Sequence, residues 1–157
     1  MRPSVFDSEP LSLVQNIVVD VLVRYYERIA RKDGIEFNTR LEVGNDISIS
    51  DADLCAVLSN LLENAVEACR RQSAEARFIL IGMKQTETSL LIRMENSANA
   101  HLTRRGEGFL SSKEEGRNGY GLNSATAITK RCGGEAEFLL DDKTREFTSV
   151  VLLKWSK

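Results

Sequence analysis

Between residues 51 and 96 the apolar pattern changes period once, from that of a helix to that of a strand. That switch fixes the class of fold open to the chain. Leu54, Leu58, Leu61, Leu62, Ala65 and Val66 recur at helical spacing and give one apolar stripe on a helix predicted over 51–72. Ser50 or Asp51 caps it, and Asp51 and Asp53 favour its first turn. Directly after it, RFILIGMKQ (77–85) and TSLLIRMEN (88–96) read as the two strands of a hairpin turning at Thr86-Glu87. Ile79, Ile81 and Met83 face one side of that hairpin, Leu80 and Gly82 the other. A striped helix and a one-faced hairpin bury their apolar surfaces by stacking as two layers.

The rest of the chain extends both layers. Residues 11–32 are predicted as a long helix, with Leu11, Val14, Ile17, Val18, Val21, Leu22, Tyr25 and Ile29 in its stripe. Ser8 or Ser12 caps it and Asp33-Gly34 stops it. Residues 35–43 read as a strand, Gly44-Asn45-Asp46 as a turn, and Ile47 and Ile49 as a short bridge. The stretch 97–120 is the least structured and reads as a flexible lid. Residues 121–132 form a helix ended by Gly133-Gly134, and 135–140 pairs with 147–154 across Asp141-Asp142-Lys143. The order α-β-α-β-β-loop-α-β-β predicts an α+β two-layer sandwich. Its mostly antiparallel mixed sheet is covered on one face by three helices, in a single domain over 1–157.

Composition removes several classes of function. The net charge is −2, which supplies no bulk attraction to nucleic acid or to an acidic membrane. Three cysteines, Cys55, Cys69 and Cys132, with no CxxC pair, suggest neither a disulfide framework nor a zinc site and fit a reduced, cytoplasmic setting. No apolar run reaches the ~18 residues that span a bilayer, and no secretory signal is present. His101, the one histidine, falls in a polar, irregular stretch with nothing to orient it as a base.

Chemistry concentrates in two places. Asn60 and Asn64 are four apart on the central helix, as are Glu63 and Glu67, so two amides and a carboxylate border its apolar stripe. Asparagine competes with the helix backbone for hydrogen bonds. A pair of solvated surface amides is one explanation. The other is a magnesium–nucleotide site, since Mg²⁺ takes hard oxygen ligands along with substrate phosphates. The second place is Gly119-Tyr120-Gly121-Leu122, which opens a helix after a loop carrying Arg104, Arg105, Lys113 and Arg117. Glycines admit a ligand close to the backbone, and a helix N-terminus offers free N–H groups to phosphate. A glycine hinge with a solvated basic loop is the plainer alternative.

LSNLLENAVEA at 58–68 resembles the N box of the GHKL superfamily, and GYGL at 119–122 resembles its G2 box. With the element order, they resemble the catalytic and ATP-binding domain of a sensor histidine kinase. Gly34-Ile35-Glu36-Phe37 before the central helix is similar to the peptide-quorum-sensing and citrate-sensor-like group. The resemblance implies ATP and Mg²⁺ as cofactors. Asn64 becomes the metal ligand and Asn60 lies beside the phosphates. Glu63 orients the γ-phosphate or the attacking group, so that Asn60 and Glu63 are the catalytic candidates. Arg104, Lys113, Gly119, Tyr120, Gly121 and Leu122 join the nucleotide site. The adenine box of the superfamily reads Asp-x-Gly-x-Gly, whereas this chain has Glu95-Asn96-Ser97-Ala98-Asn99. Asn96 then accepts from the adenine amine as a neutral group, weaker than a charged one.

The resemblance also implies partners. The acceptor histidine lies upstream, on dimerisation helices outside this chain, and a response regulator receives the phosphate. The chain alone is expected to be a monomer. The full-length kinase is expected to be a homodimer anchored in the cell membrane, with this part cytoplasmic and not inserted. Two other readings remain: a degenerate GHKL domain serving as a protein-interaction module, supported by the altered 95–99 segment, and an anti-sigma-factor-type serine kinase, which would carry the Asp-x-Gly-x-Gly box.

Overall fold

A computed structural model of the chain describes residues 13–72, 76–98, 102–105, 108–111 and 117–156, with side chains for 14–72, 76–98 and 121–156. The elements run β1 (Leu13–Val14), α1 (Ile17–Lys32), β2 (Glu36–Val43), α2 (Asp51–Arg70), β3 (Phe78–Gln85), β4 (Ser89–Ser97), β5 (Leu102–Arg105), β6 (Gly108–Ser111), α3 (Arg117–Arg131), β7 (Glu135–Asp141) and β8 (Glu146–Lys154). Six strands form one sheet in the order β1-β2-β3-β4-β8-β7, and β5 with β6 forms a separate hairpin. The β1–β2 and β2–β3 pairs are parallel, and the other pairs are antiparallel. A parallel β2–β3 pair needs a crossover, and α2 provides it. The result is the expected α+β sandwich, with a mixed, mostly antiparallel sheet.

The core lies between the layers. Phe37, Leu41 and Val43 of β2, Ile79, Ile81 and Met83 of β3, and Leu90, Ile92 and Met94 of β4 alternate inward, as do Phe147, Val151 and Leu153 of β8. Against them pack Leu54, Val57, Leu58, Leu61, Leu62, Ala65 and Val66 of α2, with Val19 and Val23 of α1 and Leu122, Ala125 and Ile128 of α3. Ile79, Ile81 and Met83 share the buried face, as the alternation requires. Leu80 points the other way and is still only 5% exposed.

Several boundaries differ from the sequence reading. The first helix starts at Ile17, where the Asn16 side chain accepts from the Val19 amide, and not at residue 11. Leu13 and Val14 instead pair with Glu42 and Val43, because an edge of β2 was open to them. The residues proposed as its first cap, Ser8 and Ser12, and Leu11 of its stripe, lie outside the described residues. Of its stripe, Val18, Leu22 and Ile29 pack against the core, while Ile17, Val21 and Tyr25 are exposed and Val19, Val23 and Ala30 are buried instead. Ile47 and Ile49 make no bridge. They sit in the loop before α2, partly buried against the core. The central helix begins as read, with the Ser50 hydroxyl accepting from the Asp53 amide at 3.1 Å. The stretch 97–120 is not without structure: it holds the β5–β6 hairpin and the start of α3, which begins at Arg117, four residues earlier than the glycine pattern suggested.

Candidate functional site

Asn60, Asn64, Glu67 and Arg71 stand at positions i, i+4, i+7 and i+11, so they make one polar stripe along the last three turns of α2 and its cap. Apolar residues fill the faces beside it, since Leu61, Leu62, Ala65 and Val66 are core. Asn64 is 6% exposed, and its amide makes no hydrogen bond to another described residue. Glu67 and Arg71 form an ion pair at 3.7 Å, with side-chain exposures of 19% and 16%.

Helix α3 runs antiparallel along this face of α2. Near one end of the pair, Arg131 of α3 meets Asp53 of α2 at 2.6 Å. Farther along, a Cβ built on Gly121 would lie 3.8 Å from Asn60 Oδ1. The asparagine and glycine motifs are thus brought side by side although they are far apart in sequence. The helix starts at Arg117, so its unbonded N–H groups are those of residues 117–120, and Gly119 and Tyr120 fall within that first turn. Gly121 follows in the helix proper. Leu122 is 1% exposed and sits in the core, so only its backbone faces outward.

The end of β4 meets the end of α2. Asn96 pairs in register with Ile79 and Phe147 and is 1% exposed. Its Nδ2 donates to the Ser97 carbonyl at 2.8 Å, so the donor end of the amide is occupied. This is the orientation an acceptor role needs, with the NH₂ group turned aside. Ser97 Oγ accepts from the Phe78 amide at 3.0 Å and lies 3.5 Å from Cys69 Sγ, tying the last turn of α2 to β3 and β4. Burial pushes the Cys69 thiol up, and the Ser97 hydrogen bond offsets part of that. It is a packed thiol, whereas Cys55 on the same helix is exposed.

Glu63 points elsewhere. It is exposed on the α1 side of α2, where its charge, after burial, helps raise the Tyr26 phenol. The structure therefore does not bring it together with Asn60 and Gly121. Arg104 lies in β5, with its side chain outside the described residues, and Lys113 and His101 lie outside them entirely. Arg71 was missed in the sequence. Its spacing from Asn60, Asn64 and Glu67 was the available signal. Two clefts elsewhere carry none of these residues. One, of about 670 Å³, lies between the ends of β2 and β3 at Glu42, Gly44, Asp46 and Gln85, and the other borders the β7–β8 turn.

The donor set fits a hard cation. Asparagine and glutamate oxygens are ligands of the kind Mg²⁺ takes, and the Asn64 amide, which bonds to no other described residue, offers such a donor. No group of three histidine, cysteine or carboxylate side chains able to hold a metal occurs among the described residues. A cation here would need oxygens from elsewhere, such as phosphates. No described helix is long and apolar enough to cross a membrane.

The profile of a family described as the GHKL domain matches residues 49–153, about two thirds of the chain, from just before α2 to the end of β8. No curated protein matches the chain in sequence. Among solved structures, the catalytic domain of histidine kinase ThkA is similar with a TM-score of 0.62 and 19% identity, covering 87% of this chain and 92% of that one. The Burkholderia phymatum STM815 histidine kinase gives a TM-score of 0.66 and 17% identity, covering 92% of this chain and 70% of the other. The Acinetobacter baumannii histidine kinase AdeS gives 0.61 and 13%, with the same coverage. At these identities the likeness speaks to the fold.

Proposed function

The chain belongs to the GHKL domain family, and from that membership we propose that it is the ATP-binding catalytic domain of a two-component histidine kinase. The observation that carries this reading is Asn64, nine-tenths buried, unbonded among the described residues, and on the face of α2 that meets Gly121 through Asn60. Bound Mg²⁺ would supply charge neutralisation at the phosphates. The chain's own residues do the rest. Asn64 offers its amide oxygen to the metal, and Asn60 and the first-turn N–H groups of α3 border the phosphates. Arg104 and Lys113 neutralise phosphate from the lid. Asn96, with its NH₂ group held by Ser97, presents an oxygen to the adenine amine.

Phosphoryl transfer asks for position and charge stabilisation more than for covalent chemistry from the protein. Glutamine and asparagine orient without abstracting a proton, so an asparagine at position 60 suits transfer to a protein side chain better than attack by water. The γ-phosphate passes to a histidine on dimerisation helices outside this chain, and from there to a response regulator. The full-length protein is then a membrane-anchored homodimer. Glu63 has no part in the transfer in this arrangement unless the lid brings the nucleotide to its side of α2.

Calorimetric titration with adenylyl imidodiphosphate, with and without Mg²⁺, tests the reading on the wild-type chain and on Asn64→Ala. Magnesium-dependent binding that the variant loses is the expected result. A second reading, a protein-docking module, is favoured by the neutral Asn96 in place of an acid. Absence of binding by the wild-type chain at millimolar nucleotide would put that reading first.

A further inference from the structure

On the premise that this site is a magnesium–nucleotide pocket, we propose that Glu67 supplies the charge with which the pocket holds its cation, beside Asn64, and that Arg71 positions the Glu67 carboxylate. Asn64 and Glu67 are three apart on α2, so their side chains leave the same face with Cβ atoms about 5–6 Å apart. That separation lets two oxygens serve one ion, directly or through its waters. Asn64 is 6% exposed and its amide bonds to no other described residue, and Glu67 follows it with a side chain that is only 19% exposed.

Charge is the reason a second ligand is required. An amide oxygen is neutral, and Mg²⁺ gives up its waters reluctantly. It is ordinarily held by one or two carboxylates together with substrate phosphates. Among the described residues the carboxylates near this face are few. Glu63 is exposed, and its charge acts on Tyr26 of α1 more strongly than that of Glu67 does. Glu95 pairs with Arg93 on β4, on the sheet face away from the helices. Asp53 shares the stripe of Asn60 and Asn64 but pairs with Arg131 at 2.6 Å toward its other end, which leaves Glu67 as the stripe carboxylate next to Asn64. A bare carboxylate beside a triphosphate would repel it. With a divalent cation between them, the same carboxylate draws the two together. Glu67 therefore makes nucleotide binding depend on the metal.

Arg71 fits the positioning role. It contacts Glu67 at 3.7 Å, longer than a hydrogen bond, and is itself 16% exposed. The pair holds the carboxylate beside the last turn of α2. Because no group of three potential ligands gathers among the described residues, Mg²⁺ alone is expected to bind the chain too weakly to detect.

The test is calorimetry with adenylyl imidodiphosphate, with and without Mg²⁺, on the wild-type chain, Glu67→Gln, Glu67→Asp and Arg71→Met, with thermal melting as the control for folding. Loss of an outer-shell metal partner costs about tenfold or more in metal affinity. Mg²⁺ should thus tighten binding fully in the wild type and only partly in Glu67→Asp and in Arg71→Met, and a full magnesium effect in Arg71→Met would remove the positioning role of Arg71. Glu67→Gln should lose most of that tightening while its metal-free affinity is unchanged or improved. If Glu67→Gln keeps the full magnesium effect, Glu67 is not a metal partner, and the nucleotide reading stands without it. If its binding weakens equally with and without Mg²⁺, the residue is structural and the proposal is wrong. If the wild-type chain binds no nucleotide, the site reading and this inference fall together. Should Glu67→Gln melt too low to titrate, Glu67→Asp decides. Undiminished metal-free binding with a reduced magnesium effect supports the proposal, and an unreduced one overturns it.

Discussion

Gly121→Ala separates what the fold needs from what the ligand needs, because the two should respond with opposite sign. Gly121 lies inside α3, and its φ is not in the left-handed region. An added Cβ would meet Asn60 atoms at 3.8 to 3.9 Å, which is ordinary contact. Nothing in the ligand-free fold therefore requires glycine there. Replacing it by alanine within a helix should stabilise by about 0.4–1 kcal/mol, which for a chain of this size raises the melting temperature by about 1–3 °C. The ligand-bound state should suffer. A methyl group intruding where a phosphate packs costs about 1–3 kcal/mol, or from about fivefold to about a hundredfold in affinity. Scanning calorimetry and nucleotide titration on one preparation read both effects. A melting temperature that falls by several degrees would mean that the glycine serves the fold. Unchanged nucleotide affinity would mean that no ligand approaches α3 on the side of Asn60. Either result refutes the reasoning.

The neighbouring glycines make a sharper structural contrast. Gly134→Ala would set a Cβ 1.7 Å from the Leu152 carbonyl oxygen, on backbone that cannot yield cheaply, whereas Gly133→Ala meets open space and bears only the strain of φ +78°. Urea denaturation should show Gly134→Ala losing about 4 kcal/mol or more and Gly133→Ala about 1–2 kcal/mol. Similar losses would contradict the close approach to β8. Among the thiols, a disulfide reagent at pH 8 should modify exposed Cys55 first and Cys69 only on unfolding. Because burial raises the Cys69 pKa above its ordinary 9.0, its contribution to stability is complete below that value. That contribution is lost as pH rises through the folded pKa, since the unfolded thiol ionises first. A flat stability curve above pH 9 in wild type and Cys69→Ala alike would falsify that assignment.

The layers were legible because each rests on a period that only one local structure satisfies. Leu54 to Val66 could be nothing but a helix stripe, and Ile79, Ile81 and Met83 nothing but one face of a strand. The asparagine pair was legible for the reason that it breaks its helix's pattern. Phase and pairing were harder to read. Helix α1 carries apolar residues on nearly every side, so Ile17, Val21 and Tyr25 fit a stripe as well as Val19 and Val23 did, and only packing against β2 and α2 decided between them. The Leu13–Val14 pairing depends on an open edge of β2, which no local pattern announces. The start of α3 at Arg117 overrides two glycines that are poor helix formers, so propensity pointed too far along the chain. Glu63 looked equivalent to Glu67, each a carboxylate bordering the same stripe. Both act on Tyr26 of α1, Glu63 the more strongly, and which of them is exposed depends on where α1 lies, which is tertiary information.

Two buried asparagines in one small domain invite comparison. Asn96 is nearly inaccessible, yet its amide donates to the Ser97 carbonyl, so its burial is compensated within the fold. Asn64, 6% exposed, bonds to no other described residue, although its helix neighbours Leu61, Leu62, Ala65 and Val66 are core. No contact among the described residues uses the amide at position 64. A ligand that binds only the folded state at a hundred times its dissociation constant stabilises that state by about 2.7 kcal/mol. A partner that arrives after folding would give the amide a use, and on the proposed function that partner brings phosphate and a cation to the stripe of Asn60, Asn64 and Glu67.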